Sequence, residues 1–154
     1  MTEDAAFLQA ILDHPDDDAP RLIYADWLEE HGRGARAEFI RVQCRLARGG
    51  ASRAERKRLA DREEKLLQAH CDVWLAELPR IEGVDKEEFR RGFVEAVRVA
   101  GVETFRTHAR ALFEAAPVQE VHFHGVLPGK IQELAHLPQL ARLRSVIMDY
   151  QELR

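Results

Sequence analysis

Residues of the right type and spacing for chemistry fall in four places along this sequence. "VHFHG" sets His122 and His124 two residues apart, which on a β-strand puts both imidazoles on one face about 7 Å apart. With Asp149 alongside they would make a set of two imidazoles and a carboxylate, able to hold a transition metal and, through it, to hydrolyse a substrate. "HPDDD" and "YADWLEE" gather Asp16, Asp17, Asp18, Asp26, Glu29 and Glu30, carboxylates suited to a hard cation or to acid–base work. His70 stands next to Cys71, a nucleophile with a base. Arg90 and Arg91 in "FRRGFV" could meet an anion.

The elements that must carry these residues decide among the readings. In residues 1–32, Phe7, Leu8, Ile11 and Leu12 form one apolar stripe, and Ile23, Tyr24, Trp27 and Leu28 repeat its spacing, which predicts two amphipathic helices. Asp18 stands where the N-cap of the second belongs, with Pro20 in its first turn and Gly32 just past its end. Carboxylates in that position satisfy helix amides and complement the dipole. The D-x-D-x-D-G run of a calcium loop is missing. The acidic cluster is therefore read as helix capping, with Asp26 partnered by Arg41 or Arg45. His70 and Cys71 are neighbours on one helix and point about 100° apart, so they cannot form a nucleophile–base pair. The two arginines of "FRRGFV" are read as ion-pair partners of the acidic helices. A third helix over about 35–48 and a long fourth from about Ser52 to Leu78 complete a helical region, residues 1–79.

Past Pro79 the pattern changes. Val94–Val97–Val99, Val118–Val121–Phe123 and Leu143–Val146–Met148 superimpose on one template, with offsets of 24 and 25 residues. This is the L-x-x-L-x-L strand pattern of a leucine-rich repeat, at a length that class allows. It predicts strands near 94–99, 118–123 and 143–148 within a region 80–154, joined by the helical stretches "VETFRTHARALFEAA" and "GKIQELAHLPQLA". Residues alternating with the inward ones then line the concave face in three columns: Ala96–Glu120–Ser145, Arg98–His122–Ile147 and Ala100–His124–Asp149. The helical region is placed to cap this array, and the last strand is left uncapped, open to self-association or to a longer repeat array.

The stretch "FLQAILDHPDDDAPRLIYADWLEEHG", followed by "RAEFIRVQ" and "FRRGFVEAV", resembles the bacterial repeat-companion domain over most of residues 4–99. That family typically precedes leucine-rich-repeat-like segments. The resemblance implies association with repeat proteins; it implies no established activity and supplies no catalytic residues.

Composition narrows the function further. An apolar fraction of 45% and a charged fraction of 32% describe a globular chain with a charged surface. No apolar run approaches the roughly 20 residues of a membrane span, and the acidic, amphipathic N-terminus is unlike a secretory signal. Cys44 and Cys71 form no CxxC pair, so a reducing cytoplasm is the expected location. Residues 1–32 carry one Arg against nine acids, whereas residues 33–65 carry eleven Arg or Lys against five. Pairing between these helices is the first reading of that asymmetry. Nucleic-acid binding by the 33–65 stretch is set second, because it lacks interleaved aromatics and the pI is about 6.0. A metal-dependent hydrolase using His122, His124 and Asp149 stands as the other alternative, with no nucleophile elbow, P-loop or H-E-x-x-H helix to support it.

The expectation is an α+β chain: about four N-terminal helices leading into leucine-rich-repeat-like β/α units with a short parallel sheet. It is a non-enzymatic interaction module, without cofactor or metal. It would bind a protein or peptide through Arg98, Glu120, His122, His124, Ser145, Ile147 and Asp149.

Overall fold

Four helices come first: α1 (Glu3–Asp13), α2 (Ala19–Glu30), α3 (Gly34–Arg48) and α4 (Arg53–Leu75). Strands β1 (Val84–Arg90) and β2 (Phe93–Ala100), helix α5 (Gly101–Ala115), strand β3 (Glu120–Val126) and strand β4 (Ser145–Tyr150) follow. The fold is α+β, with the helices N-terminal. The computed structural model describes residues 2–150, Glu87 by its backbone only. Among them, no helix is long and apolar enough to cross a membrane. Contacts divide the chain into two units, residues up to 77 together with 90–93, and residues 78–89 together with those from 94 on.

In the first unit, Ile11, Tyr24, Ala25, Leu28, Ala37, Ile40, Cys44 and Phe93 form one buried cluster. The stripe of α2 is rotated from the expected one: Ile23 is 57% exposed, whereas Arg21 has no exposure at all. Arg21, Tyr24, Ala25 and Leu28 share one face at i, i+3, i+4 and i+7. A buried guanidinium must spend its donors on fixed acceptors. Arg21 donates to the carbonyls of Pro15 (2.9 Å), Arg91 (3.2 Å) and Arg90 (3.3 Å), and lies over the ring of Phe93. From α3, the Arg36 guanidinium donates to the Gly92 carbonyl at 3.0 Å, and the Gln43 side-chain oxygen accepts from the Gly92 amide at 2.7 Å. The turn at Arg91–Gly92 is thus held from both sides of its backbone.

That turn needs this support because its geometry is demanding. Arg91 and Gly92 have φ of 49° and 90°, the left-handed pair of a two-residue hairpin. Gly92 also lies against α3: a Cβ there would stand 2.4 Å from Ile40 Cγ1. The Arg91 guanidinium folds back to donate to the Pro15 carbonyl at 2.6 Å and pairs with Asp18 at 3.2 Å. Asp18 is consequently not a side-chain cap for α2. Asp17 does that work, accepting from the Ala19 amide at 2.9 Å. The pairing expected of Asp26 with Arg41 is present, at 2.7 Å.

In the second unit the four strands lie in the order β1-β2-β3-β4. A two-residue turn can join β1 and β2 only as an antiparallel pair, and the Ala100 amide closes its far end on the Gly83 carbonyl at 2.7 Å. β2–β3 and β3–β4 are parallel. Helix α5 crosses between the first parallel pair and buries Val102, Phe105, Ala109, Leu112 and Phe113. Phe105 meets Phe123 edge-on at 5.2 Å. Val97, Val99, Val121 and Phe123 are wholly buried.

Three sequence expectations are corrected here. Strands β3 and β4 start two residues later than the template implies, because Val118 and Leu143 precede the ladder instead of joining it. The hairpin extends β2 back to Phe93, so Val94 alternates onto the face of Ala96 and Arg98 and not onto that of Val97 and Val99. The stretch between β3 and β4 is not an α-helix but two 3-10 segments, Lys130–Leu134 and Pro138–Arg142. Pro138 holds Leu137 extended at φ −79° and ψ 123°, which stops an α-helix from running through. Leu134 is the residue this stretch buries.

Candidate functional site

The sheet face away from Val97, Val99 and Phe123 carries the candidate residues. Parallel pairing sets Ala96 opposite Glu120 and Glu120 opposite Ser145. It sets Arg98 opposite His122 and His122 opposite Ile147. Two of the three columns read from the repeat offsets are therefore actual rows of in-register neighbours across the parallel ladders. They arise because each copy keeps the same phase of its two-residue alternation across 24 or 25 residues.

The face is not open along its whole length. Val94 is 2% and Ala96 1% exposed, which corrects the expectation that Ala96 would be an open position. An apolar pair on the hairpin-proximal part of β2 closes that end. The open part begins at Arg98, half-buried, and continues through half-buried Glu120, His122, His124 and Ser145 to exposed Ile147 and Asp149.

The third column is broken. Between Phe123 and Val126 the β3–β4 ladder is irregular, and two residues of β3, His124 and Gly125, stand against Asp149 alone. Gly125 supplies the left-handed backbone of that bulge, at φ 67°. The shift carries the Asp149 carboxylate toward His122, and its Oδ2 lies 2.9 Å from His122 Nε2. The His122 side chain is 20% exposed and Asp149 58%, so the pair sits at the rim of the face.

This arrangement orients one imidazole by one carboxylate. His124 does not join them: among the described residues no group of three His, Cys, Asp or Glu side chains is placed to hold a metal ion. The face instead offers hydrogen-bonding groups of both signs around an exposed aliphatic side chain, Ile147. Beyond it, β4 is the sheet edge, with Val146, Ile147 and Tyr150 39%, 43% and 59% exposed.

The other candidate groups are accounted for locally. The Cys71 thiol beside His70 is half-buried and is pushed up from its ordinary value by burial and by the Asp72 carboxylate, opposite to what a nucleophile needs, and buried Cys44 is pushed up to about 11. His70 stacks on Trp74 at 5.2 Å. The buried polar residues that sequence reasoning missed are, among the described residues, Arg21, Arg36, Gln43, Glu95 and Gln119. The signal was available: Arg21 and Arg36 each stand at helical spacing from core residues of their own helix, where an ordinary surface arginine would not.

Comparison of the chain with protein-family models, with curated proteins and with solved structures finds no match.

Proposed function

We propose that this chain is a non-enzymatic interaction module of the bacterial cytoplasm, a repeat-companion-like helical region leading into leucine-rich-repeat-like β/α units. Its partner is a protein or peptide segment bound across Arg98, Glu120, His122, His124, Ser145, Ile147 and Asp149. The observation that supports this reading most is the in-register pair of columns Ala96–Glu120–Ser145 and Arg98–His122–Ile147. A parallel sheet presents such columns as a regular array of side chains, a surface suited to an extended segment. The apolar edge strand β4 offers a second mode, self-association or stacking of a further repeat unit.

Selection from a displayed peptide library tests the reading. Peptides enriched on the wild-type chain, and shifting amide resonances of residues 98, 120–124 and 145–149 when added, are the expected result. Enriched peptides whose shifts fall in α1–α4 would overturn it.

A further inference from the structure

The eleven cations of residues 33–65 comprise five that the fold uses, five clustered within 48–58, and exposed Lys65, which belongs to neither group. Five are used by the fold of the helical unit. Arg33 pairs with Asp4 and Glu77, Arg36 with Glu77, Arg41 with Asp26 and Glu29, Arg45 with Glu55, and Arg62 with Glu38. Acids of α1 and α2 take part in pairing Arg33 and Arg41, and acids further along the chain pair Arg36, Arg45 and Arg62; the cluster at 48–58 is left to be explained. Arg48, Arg53, Arg56, Lys57 and Arg58 are all exposed, and among the described residues none of their side chains has a hydrogen-bond or ion-pair partner.

These five lie within eleven residues, at the end of α3 and in the first two turns of α4, with Glu55 the sole acid among them. Glu55 is itself taken by Arg45 at 3.1 Å. Their position is electrostatically unfavourable for the helix. The N-terminal turns of a helix carry the positive end of its dipole and favour acids, so four cations there oppose the element that carries them. The amides of that end are served locally, with Ser52 Oγ accepting from the Glu55 amide at 3.1 Å. Positive charge that helps neither the helix nor the core marks a surface shaped by something outside the chain.

We infer that Arg48, Arg53, Arg56, Lys57 and Arg58 form a docking surface for the phosphate backbone of duplex nucleic acid, engaged without base specificity. Four of the five are arginines, whose planar forks match phosphate oxygens in pairs. Residues 48–58 contain no aromatic side chain, so bases have nothing to stack on and a single strand is not favoured. They also contain no large apolar side chain. A membrane-surface helix needs such anchors, and so does a tight protein interface. Charge complementarity alone is what a phosphate backbone asks for. The patch shares no residue with the sheet face, and the inference does not depend on the function proposed for that face.

The test is fluorescence titration of a labelled short DNA duplex with the full chain at rising salt. The wild type is compared with Arg53→Glu/Arg56→Glu and with a charge-matched control, Arg80→Glu/Arg142→Glu, whose residues are exposed and lie outside the patch. The wild type should bind with a log–log salt slope of about −4, as expected when some five phosphates are neutralised. The patch variant should lose at least tenfold in affinity and about two units of slope, whereas the control should change less than threefold. The denaturation midpoint of the patch variant should equal or exceed that of the wild type, since acids replace cations at a helix N-terminus. Absence of binding by the wild type at low salt would overturn the inference, as would equal losses in the two variants. Tighter binding to polyglutamate or to phosphatidylserine vesicles than to the duplex would overturn it by moving the patch to another partner.

Discussion

Gly92 lies so close to Ile40 that a Cβ on it would stand 2.4 Å from Ile40 Cγ1 and 3.0 Å from Ile40 Cα. The hairpin tip therefore approaches α3 backbone to backbone, at a φ of 90° that L side chains rarely adopt. Gly92→Ala should cost about 2–4 kcal/mol, from overpacking and backbone strain together. Urea denaturation of the variant measures it. Ile40→Ala, itself a core truncation costing about 2–5 kcal/mol, should combine with it to less than the sum, because the side-chain half of the clash is removed. Purely additive effects of the two substitutions would contradict the contact.

The guanidinium of Arg21 is the main polar support of the same turn. Arg21→Met keeps its bulk and apolar stem but takes from the carbonyls of Arg90 and Arg91 the donor that now serves them, while the Pro15 carbonyl keeps Arg91. A loss of about 3 kcal/mol or more is expected, since buried acceptors left unpaired cost about 1–3 kcal/mol each. Arg21→Lys should restore less than half of it, an ammonium being unable to span the acceptors as the planar fork does. Equilibrium denaturation of the two variants decides this.

Asp17 and Asp18 do different work despite their adjacency. Asp17→Ala removes the side-chain acceptor of the Ala19 amide and should cost about 1 kcal/mol, independent of salt. Asp18→Ala removes the partner of Arg91 and should cost a similar amount that shrinks as salt rises. A double-mutant cycle with Arg91→Ala separates the two, with coupling expected for Asp18 and near zero for Asp17.

Burial pushes the Cys44 thiol up from its ordinary value near 9 to about 11, with the Asp18 carboxylate adding in the same direction. The native state therefore holds the proton over a range where the unfolded chain releases it. This contribution to stability is complete below pH 9 and is lost as pH rises from 9 to about 11. Its size is of order 2–3 kcal/mol. Denaturation of wild type and Cys44→Ala across that range should show the wild type losing more. Parallel curves would contradict the burial of the thiol.

Much of this fold is legible in the sequence where one rule acts alone. The 24- and 25-residue offsets gave the parallel register of Ala96–Glu120–Ser145 and Arg98–His122–Ile147 because alternation in a strand has a fixed period. Legibility fails where a neighbour competes. The Asp149 column breaks at the Gly125 bulge, whose backbone the repeat template does not encode. Ile23 and Arg21 exchange their expected places because hydrophobicity alone cannot register a guanidinium that finds carbonyls inside the core. Asp18 looks like a cap, and its side chain goes to Arg91, 73 positions along the chain. The candidate site was readable as a set of residues on one face, and its open and closed parts were not. Burial of Val94 and Ala96 is not encoded in the repeat template, which fixes the face a residue lies on and not what covers it.

Capture from a lysate of the source organism by immobilised chain, with wild type beside Arg98→Glu/His122→Ala, tests the central claim most directly. Both residues lie on the open part of the sheet face and neither is fully buried, so the variant should fold as the wild type does. The account predicts a protein held by the wild type whose purified form binds the variant at least tenfold more weakly. A protein held equally by both, or lost only when Arg53 and Arg56 are reversed, would contradict the sheet face as the recognition surface.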